Sequence, residues 1–430
     1  MLCARNSIEW IVAAHAVRAA GRALVPISFS LTSPEIAYVI GDCAASLVLC
    51  DAERLEVVRS AADVHSVKAA TIEQLSEMGG PERTRADGSA PFILYTSGTS
   101  GKPKGAYHRR SPEGAMATAY AQVFDLRPGD VHLVAGPLYH SAPSAFCGIT
   151  LSLQGTAVVM SQFDPLEALR LIEQHAVTTA FMAPILLRRL LDLGPDVIGR
   201  FDLGSMRSII TAGSRCPQKV KRDSAELFGE VLYEFYGSTE TKAVFVIGPG
   251  DQLQRPGSCG RTFPGVEALL LDEQGHEVGV GEPGRVHVLK TDWMFDHYLK
   301  DPAKTAEVIR DGWIATDDLA TRDADGFHYI CGRVSDMVLS GGVNIYPAEV
   351  ELALIEHPSV ADVAVFGVAD EIWGERLHAI VQPSGEAPGP AELEEFLRAR
   401  IAGFKVPRSW EFVERLGRGE DGKLRKTDLR

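Results

Sequence analysis

No apolar run in this 430-residue chain is long enough to span a membrane, and no secretory signal opens it. There is also no C-x-x-C pair. The seven cysteines, Cys3, Cys43, Cys50, Cys147, Cys216, Cys259 and Cys331, are scattered and odd in number. That pattern fits the reduced thiols of a cytoplasmic protein and argues against a disulfide framework or a zinc site. Positive charge is the scarcer sign, with 43 Lys and Arg against 57 Asp and Glu and a net charge of −14. Nucleic acid and anionic membrane surfaces are therefore not expected partners. What remains is an ordinary globular composition, 45% hydrophobic and 23% charged, in a chain too long for one hydrophobic core. More than one domain is expected.

The most informative stretch spans 91–105. Phe92-Ile93-Leu94-Tyr95 reads as a buried strand. It empties into a loop made of Thr96, Ser97, Gly98, Thr99, Ser100, Gly101, Lys102, Pro103, Lys104 and Gly105. Such a loop cannot pack a core, but it can wrap an anion. Glycines let backbone N–H groups approach phosphate oxygens, and hydroxyls and ammonium groups add further donors. A Walker loop would need G-x-x-x-x-G-K-[ST] running into a helix, which Pro103 after Lys102 prevents.

Upstream, residues 6–22 read as a helix capped by Asn6 or Ser7, with His15 on its apolar face as a structural residue. A strand is expected over 23–27, then a helix opened by the capping box Thr32-x-x-Glu35. After the glycine loop, strands are expected at 131–135, 156–160, 178–182, 208–211 and 231–236. Helices should separate them after Ser141 and over 165–175, 185–193 and 217–228. This alternation gives parallel sheets covered by helices. From Pro256 the pattern shifts to Gly-rich turns and short strands, such as 266–271 and 284–289, the mark of a β-rich subdomain. Past Gly332–Asp336 come a helix at 348–357, strands at 360–368 and 377–382, and a helix at 391–402. The expected fold is α/β: a large N-terminal domain, 1–334, of parallel-rich sheets with helices plus a β-rich subdomain, and a small mobile α+β C-terminal domain, 335–430.

Candidate site residues follow the strands. Pro137-Leu138-Tyr139-His140-Ser141 puts an aromatic and a His at a strand's C-terminal end, where α/β sheets place ligands. Thr211-Ala212-Gly213-Ser214 ends another strand with residues small enough for a flat ring to approach the backbone. Tyr236-Gly237-Ser238-Thr239-Glu240 ends a third, and a carboxylate beside a hydroxyl suits Mg²⁺ on a nucleotide. Asp318 can accept two sugar hydroxyls, and Arg333 offers its planar fork to phosphate or ribose oxygens. Gly341 and Gly342 permit close approach to the backbone, and Gly422-Lys423-Leu424-Arg425-Lys426 lies near the end of the chain.

Taken in order from 91 to 423, these motifs resemble those of the adenylate-forming superfamily, which holds acyl-CoA synthetases, aryl-acid ligases, luciferases and the adenylation domains of peptide synthetases. The resemblance implies ATP, Mg²⁺ and coenzyme A as cofactors, and a small-molecule carboxylic acid as substrate. It places Thr96, Ser97, Gly98, Thr99, Ser100, Gly101 and Lys104 on the departing phosphates, with Thr96 and Glu240 on Mg²⁺. Gly213, Ser214, Tyr236 and Gly237 would frame adenine, Thr239 would touch the α-phosphate, and His140 would border the carboxylate. Asp318 and Arg333 would hold the ribose side, Ser335 would be the hinge, and Gly341 and Gly342 would pass the pantetheine arm. Lys423 would bridge carboxylate and α-phosphate as the catalytic lysine.

The chain departs from that pattern in four places. Asp317 stands where Gly is usual, Ser335 where Asp or Lys is usual, and Gly417–Asp421 where the family has Pro and Thr before the lysine. The chain also begins about where a strand-rich first segment of the family would end, so a lost start or a missing edge element is expected. Leu138, Ala142, Ala145, Phe146, Phe181, Met182 and Ala183 lead to a hydrophobic acid, a fatty acid first, with coenzyme A as acceptor. A separate carrier protein as acceptor and a catalytically silent nucleotide binder are the alternatives, and a homodimer is left open.

Overall fold

The structure is a computed structural model, and it describes residues 1–77, 90–96, 103–109, 114–418 and 429. The alternation read from the sequence builds a seven-stranded sheet. Its order is Arg261–Thr262, Lys242–Ile247, Leu232–Ser238, Ser208–Thr211, Thr179–Phe181, Val131–Val134 and Thr156–Val159. The last five of these run parallel, while Lys242–Ile247 returns antiparallel to Leu232–Ser238. Helices cover the parallel strands on both faces, so strands such as Ser208–Thr211 are buried at every residue.

Helices Pro165–His175, Pro184–Leu191 and Gln218–Phe228 close one face, packing Leu169, Leu187 and Val220 with Leu133 and Ile209. Their ends are set locally. Asp164 accepts the Glu167 N–H at 2.8 Å, Pro165 occupies the first turn, and Ala176 stops the helix at φ +48. An aromatic core of Tyr120, Phe124, Phe146 and Phe263 fills the opposite face.

A smaller parallel sheet, Leu2–Cys3, Leu47–Cys50 and Lys68–Thr71, lies toward the N-terminus. Ser7 caps the first helix, Ile8–Ala19, by accepting the Trp10 N–H at 3.0 Å. The expected strand at 23–27 is instead an extended segment with isolated bridges at Leu24 and Pro26, since Pro26 has no N–H to continue a ladder. His15 is also corrected: the buried face carries Trp10, Ala13 and Ala14, and the next residue round the helix turns outward.

A further correction concerns the glycine loop. Phe92–Thr96 forms a hairpin with Lys104–His108, so Thr96 and Lys104 face each other as paired strand residues instead of lying in the loop. The β-rich part comprises Ala268–Leu271, Gly284–Leu289, Trp313–Arg322, Ile309–Arg310 and His328–Arg333. The smaller C-terminal domain packs helices Pro347–Leu354 and Pro390–Arg398 on a sheet centred on Val360–Asp370 and Gly374–Pro383, around Val350, Leu354, Val365, Leu393 and Leu397.

Two buried histidines give the fold an acid-labile side. His132 is hydrogen-bonded to Thr179 Oγ1 at 2.9 Å, and His328 stacks on Phe245 at 3.9 Å. Burial holds both down at about 4. Between pH 6.5 and 4 the unfolded chain binds protons at these sites that the folded chain does not, so stability falls as pH falls. Each His is expected to remove about 1 kcal/mol by pH 5.5, read as a lower urea midpoint than at pH 7.5; an unchanged midpoint would contradict this account.

Candidate active site

At the C-terminal ends of the parallel strands opens a cavity of about 940 Å³. Its walls bring together His140, Gly213, Gly237, Thr239 and Glu240 from the sheet, and Asp318, Arg333 and Ser335 from the β-rich part. Thr96 and Lys104, from the hairpin, line it as well. Residues more than two hundred positions apart in sequence thus share one site. Ser97, Gly98, Thr99, Ser100, Gly101 and Lys423 lie outside the described residues. Among the described residues, Ser214, Tyr236, Gly341 and Gly342 are not in the wall.

Each wall element has a local cause. The loop from Gly136 to His140 is fastened by Asn6, whose buried amide donates to Gly136 O at 2.9 Å and accepts the Leu138 N–H at 2.8 Å. The helix Ser141–Ser152 then starts directly after His140. Gly213 has φ +91, and a Cβ there would meet nothing within 4 Å, so this stretch of wall is open enough for a flat ring. Gly341 and Gly342, at φ +59 and +81, form the tight turn between Val338–Ser340 and Val343–Ile345. The ring of Trp373 packs against Gly341, where a Cβ would lie 2.6 Å away.

The Tyr236–Lys242 turn is the most constrained part. The register slips between Tyr236 and Gly237, and a Cβ on Gly237 would lie 1.8 Å from Lys242 O. Only glycine fits. Ser238 Oγ accepts the N–H groups of Glu240 and Thr241 at 3.2 Å each, pulling the turn tight. Tyr298 donates to Glu240 Oε1 at 2.8 Å, and the Phe295 N–H donates to Glu240 O at 2.9 Å. Burial, and then the Glu240 charge, raise the Tyr298 hydroxyl well above its ordinary range, so it stays a donor.

Opposite this turn, Tyr236 stands behind Asp318, with its hydroxyl donating to Asp318 Oδ2 at 2.7 Å and its ring stacked on Phe245 at 5.5 Å. Asp318 also pairs with Arg333 at 3.3 Å. The neighbouring departures from the motif pattern meet each other: the Ser335 hydroxyl donates to the Asp317 carboxylate. Two residues that looked anomalous separately are partners. In the same strand as Tyr236, Glu234 is buried in an ion pair with Lys221 and accepts the Cys216 N–H at 3.1 Å.

Sequence reasoning missed Tyr298, which lies in a two-residue strand with no motif around it. It also passed over Lys242, although that residue follows the Tyr236–Glu240 string and opens an apolar strand. Lys242 lines the cavity with φ +60, its Nζ 3.4 Å from Ser141 Oγ and 5.2 Å from the Phe92 ring centre. Burial draws its pKa down to about 7.

The donor set suits a hard cation on phosphates. It offers the Glu240 carboxylate with the Thr239 and Thr96 hydroxyls, and among the described residues no group of three or more His, Cys, Asp or Glu forms a cage. Such a site would share its cation with a nucleotide, as Mg²⁺ sites commonly do.

Residues 1–299 match the AMP-binding enzyme family, and residues 349–423 match the AMP-binding enzyme C-terminal domain. The chain belongs to this family. A fatty acid–acyl-carrier-protein ligase of Streptomyces coeruleorubidus is 32% identical, over 95% of this chain and 82% of that protein. A 2-succinylbenzoate–CoA ligase of Bacillus licheniformis is also 32% identical, over 99% of this chain and 86% of that protein. In shape, the ATP-bound MatB of Rhodopseudomonas palustris superposes with a TM-score of 0.90 at 29% identity, covering all of this chain and 87% of that one. The o-succinylbenzoate CoA synthetase of Bacillus subtilis, solved with ATP and magnesium ion, gives 0.88 at 26% identity, over 98% of this chain and 87% of that one.

Two substitutions test the scaffold. Gly237→Ala puts a methyl on the Lys242 carbonyl, which cannot withdraw without breaking the hairpin. It should cost about 1–3 kcal/mol and weaken ATP binding at least tenfold by calorimetry; wild-type affinity would refute the role of the bulge. Asn6→Ala leaves the Gly136 carbonyl and the Leu138 N–H unpaired inside the protein, and should lower stability by about 2–4 kcal/mol in urea unfolding.

Proposed function

We propose that this chain is an ATP-dependent acid–CoA ligase, acting on a carboxylic acid with an apolar body. The observation that carries the reading is the gathering of Thr239–Glu240, Asp318–Arg333 and His140 around one cavity at the ends of parallel strands. Phe146, Phe181, Tyr120 and Leu186 line its inner part, which favours an apolar acyl group.

The reaction has two displacements. A carboxylate oxygen of the acid attacks the α-phosphorus of ATP, the bond to the bridging oxygen breaks, and pyrophosphate leaves. The sulfur of coenzyme A then attacks the activated carbonyl carbon, its proton is lost, and AMP departs. In this reading Thr239 donates to the α-phosphate, and Tyr298 keeps the Glu240 carboxylate aimed into the cavity. Asp318, oriented by Tyr236 and Arg333, accepts from the ribose hydroxyls, and His140 borders the acid. Mg²⁺, held by Glu240 with the Thr239 and Thr96 hydroxyls, would supply positive charge to the phosphates. Lys423 and the residues 97–101 are assigned to carboxylate and phosphate by the same resemblance. Preorganised charge of this kind is the main source of catalysis in phosphoryl transfer.

The domains are taken as 1–334 and 335–430, with Ser335 as pivot between the two steps and Gly341–Gly342 as the passage for the thiol arm. The hydroxyl bond from Ser335 to Asp317 supports a pivot whose two unusual residues were matched to each other. The scattered reduced thiols support a cytoplasmic location, and no helix among the described residues is long and apolar enough to cross a membrane. A carrier protein as thiol donor is the second reading, favoured by the similarity to a fatty acid–acyl-carrier-protein ligase.

Lys423→Ala should abolish acid-dependent pyrophosphate release, by 100-fold or more, yet spare thioester formation from a supplied acyl-adenylate. Equal loss of both would reject the assignment. Thioester formation on coenzyme A against a phosphopantetheinylated carrier, with the same acid, distinguishes the two acceptors.

A further inference from the structure

Lys242 has no part in the steps above, yet its placement is expensive. It opens the strand Lys242–Ile247 and is 7% exposed, ahead of Ala243, Val244 and Phe245, which are at most 1% exposed. A buried ammonium is tolerated where an opposite charge and further acceptors meet it. Among the described residues its ammonium hydrogen-bonds Ser141 Oγ at a long 3.4 Å and lies over the face of Phe92. Among the described residues no ion pair is formed by Lys242; the Glu240 charge favours the ammonium only from a distance, and Glu240 gives its Oε1 to Tyr298. The backbone adds a second sign of selection for function over stability. Lys242 is held at φ +60, a conformation that glycine adopts freely and a long side chain does not.

The position of the ammonium within the cavity says what it awaits. Ser141 begins the helix whose Ala142, Ala145 and Gly148 line the same cavity. At Gly148 a Cβ would meet nothing within 4 Å, so free space continues along this helix. Lys242 therefore stands at the start of this helix, whose Ala142, Ala145 and Phe146 belong to the part of the wall assigned to the acid. An ammonium with a hydroxyl beside it, set against apolar walls, forms a binding point for an anionic oxygen pair.

We propose that Lys242, with Ser141, is the specificity-determining site of this enzyme and holds a second carboxylate on the acyl part, so that the substrate class is a dicarboxylic acid with an apolar body. The assignment rests on the ligase reading. A second carboxylate would meet the Lys242 ammonium and the Ser141 hydroxyl with opposite charge and acceptors, whereas a plain fatty acid would set its alkyl chain against the ammonium.

The test is acid-dependent pyrophosphate release with ATP. The acids are malonate through suberate, phthalate and isophthalate, each against its chain-matched or ring-matched monocarboxylate. Wild-type protein should favour at least one dicarboxylate over its match by tenfold or more in kcat/KM. Lys242→Met, which keeps the apolar stem and removes the charge, should lower that ratio at least tenfold, and Lys242→Arg should restore much of it. A wild-type preference for monocarboxylates throughout would overturn the proposal without any variant. So would a Lys242→Met protein that retains the dicarboxylate preference, or one that loses both acids equally, as expected of a lysine on the reacting carboxylate. Absence of turnover with every acid would instead overturn the ligase reading. The Lys242 assignment would then stand or fall on whether dicarboxylates raise the thermal midpoint of the wild type and not of Lys242→Met.

Discussion

The site depends on one close approach, that of the Gly237 backbone to the carbonyl of Lys242. The contact exists because Leu232–Ser238 and Lys242–Ile247 slip register between Tyr236 and Gly237, which turns the end of a buried strand into a tight bulge. Everything the cavity presents on this side hangs from that bulge. Thr239 and Glu240 sit at its tip, and Lys242 is turned inward at its far shoulder. Tyr236, one residue before the slip, is aimed backward at Asp318. A side chain at 237 would separate the two strands, and the nucleotide and acyl walls would lose their common anchor.

Around this anchor the site is braced by hydrogen bonds among its own side chains. Asn6 ties the first helix's entry to the loop before His140, Tyr298 fixes one oxygen of Glu240, and Tyr236 with Arg333 fixes the two oxygens of Asp318. These bonds join segments from the N-terminal sheet, the central sheet and the β-rich part. Charges assembled this way need not reorganise when charge develops on a substrate. The Ser335–Asp317 bond extends the bracing to the junction with the C-terminal domain.

Much of this was legible beforehand where the signal was local. The helix at 165–175 was read to the residue, because Asp164, Pro165 and the apolar spacing of Ala168, Leu169 and Ile172 all point the same way. Strand 208–211 was read to the residue as well, while the strand expected at 231–236 runs on through Ser238. Errors fell where long-range pairing overrode local pattern. Lys104 and Gly105 look like loop residues until Tyr95 and Thr96 pair with them. His15 looks buried until the packed face of its helix proves to run through Ala13 and Ala14.

The sequence by itself determined the family, the order of the parallel strands' motifs and the set of oxygen and cationic groups available for nucleotide chemistry. Those follow from short strings whose spacing survives without knowledge of partners. Only the tertiary structure decided which of these groups meet. That Ser335 answers Asp317, that Tyr298 holds Glu240, and that Lys242 reaches Ser141 and Phe92 are facts of distance between segments remote in the chain. Burial acts the same way. An ammonium is unremarkable in a sequence and becomes a demand for a partner only when the fold removes its water.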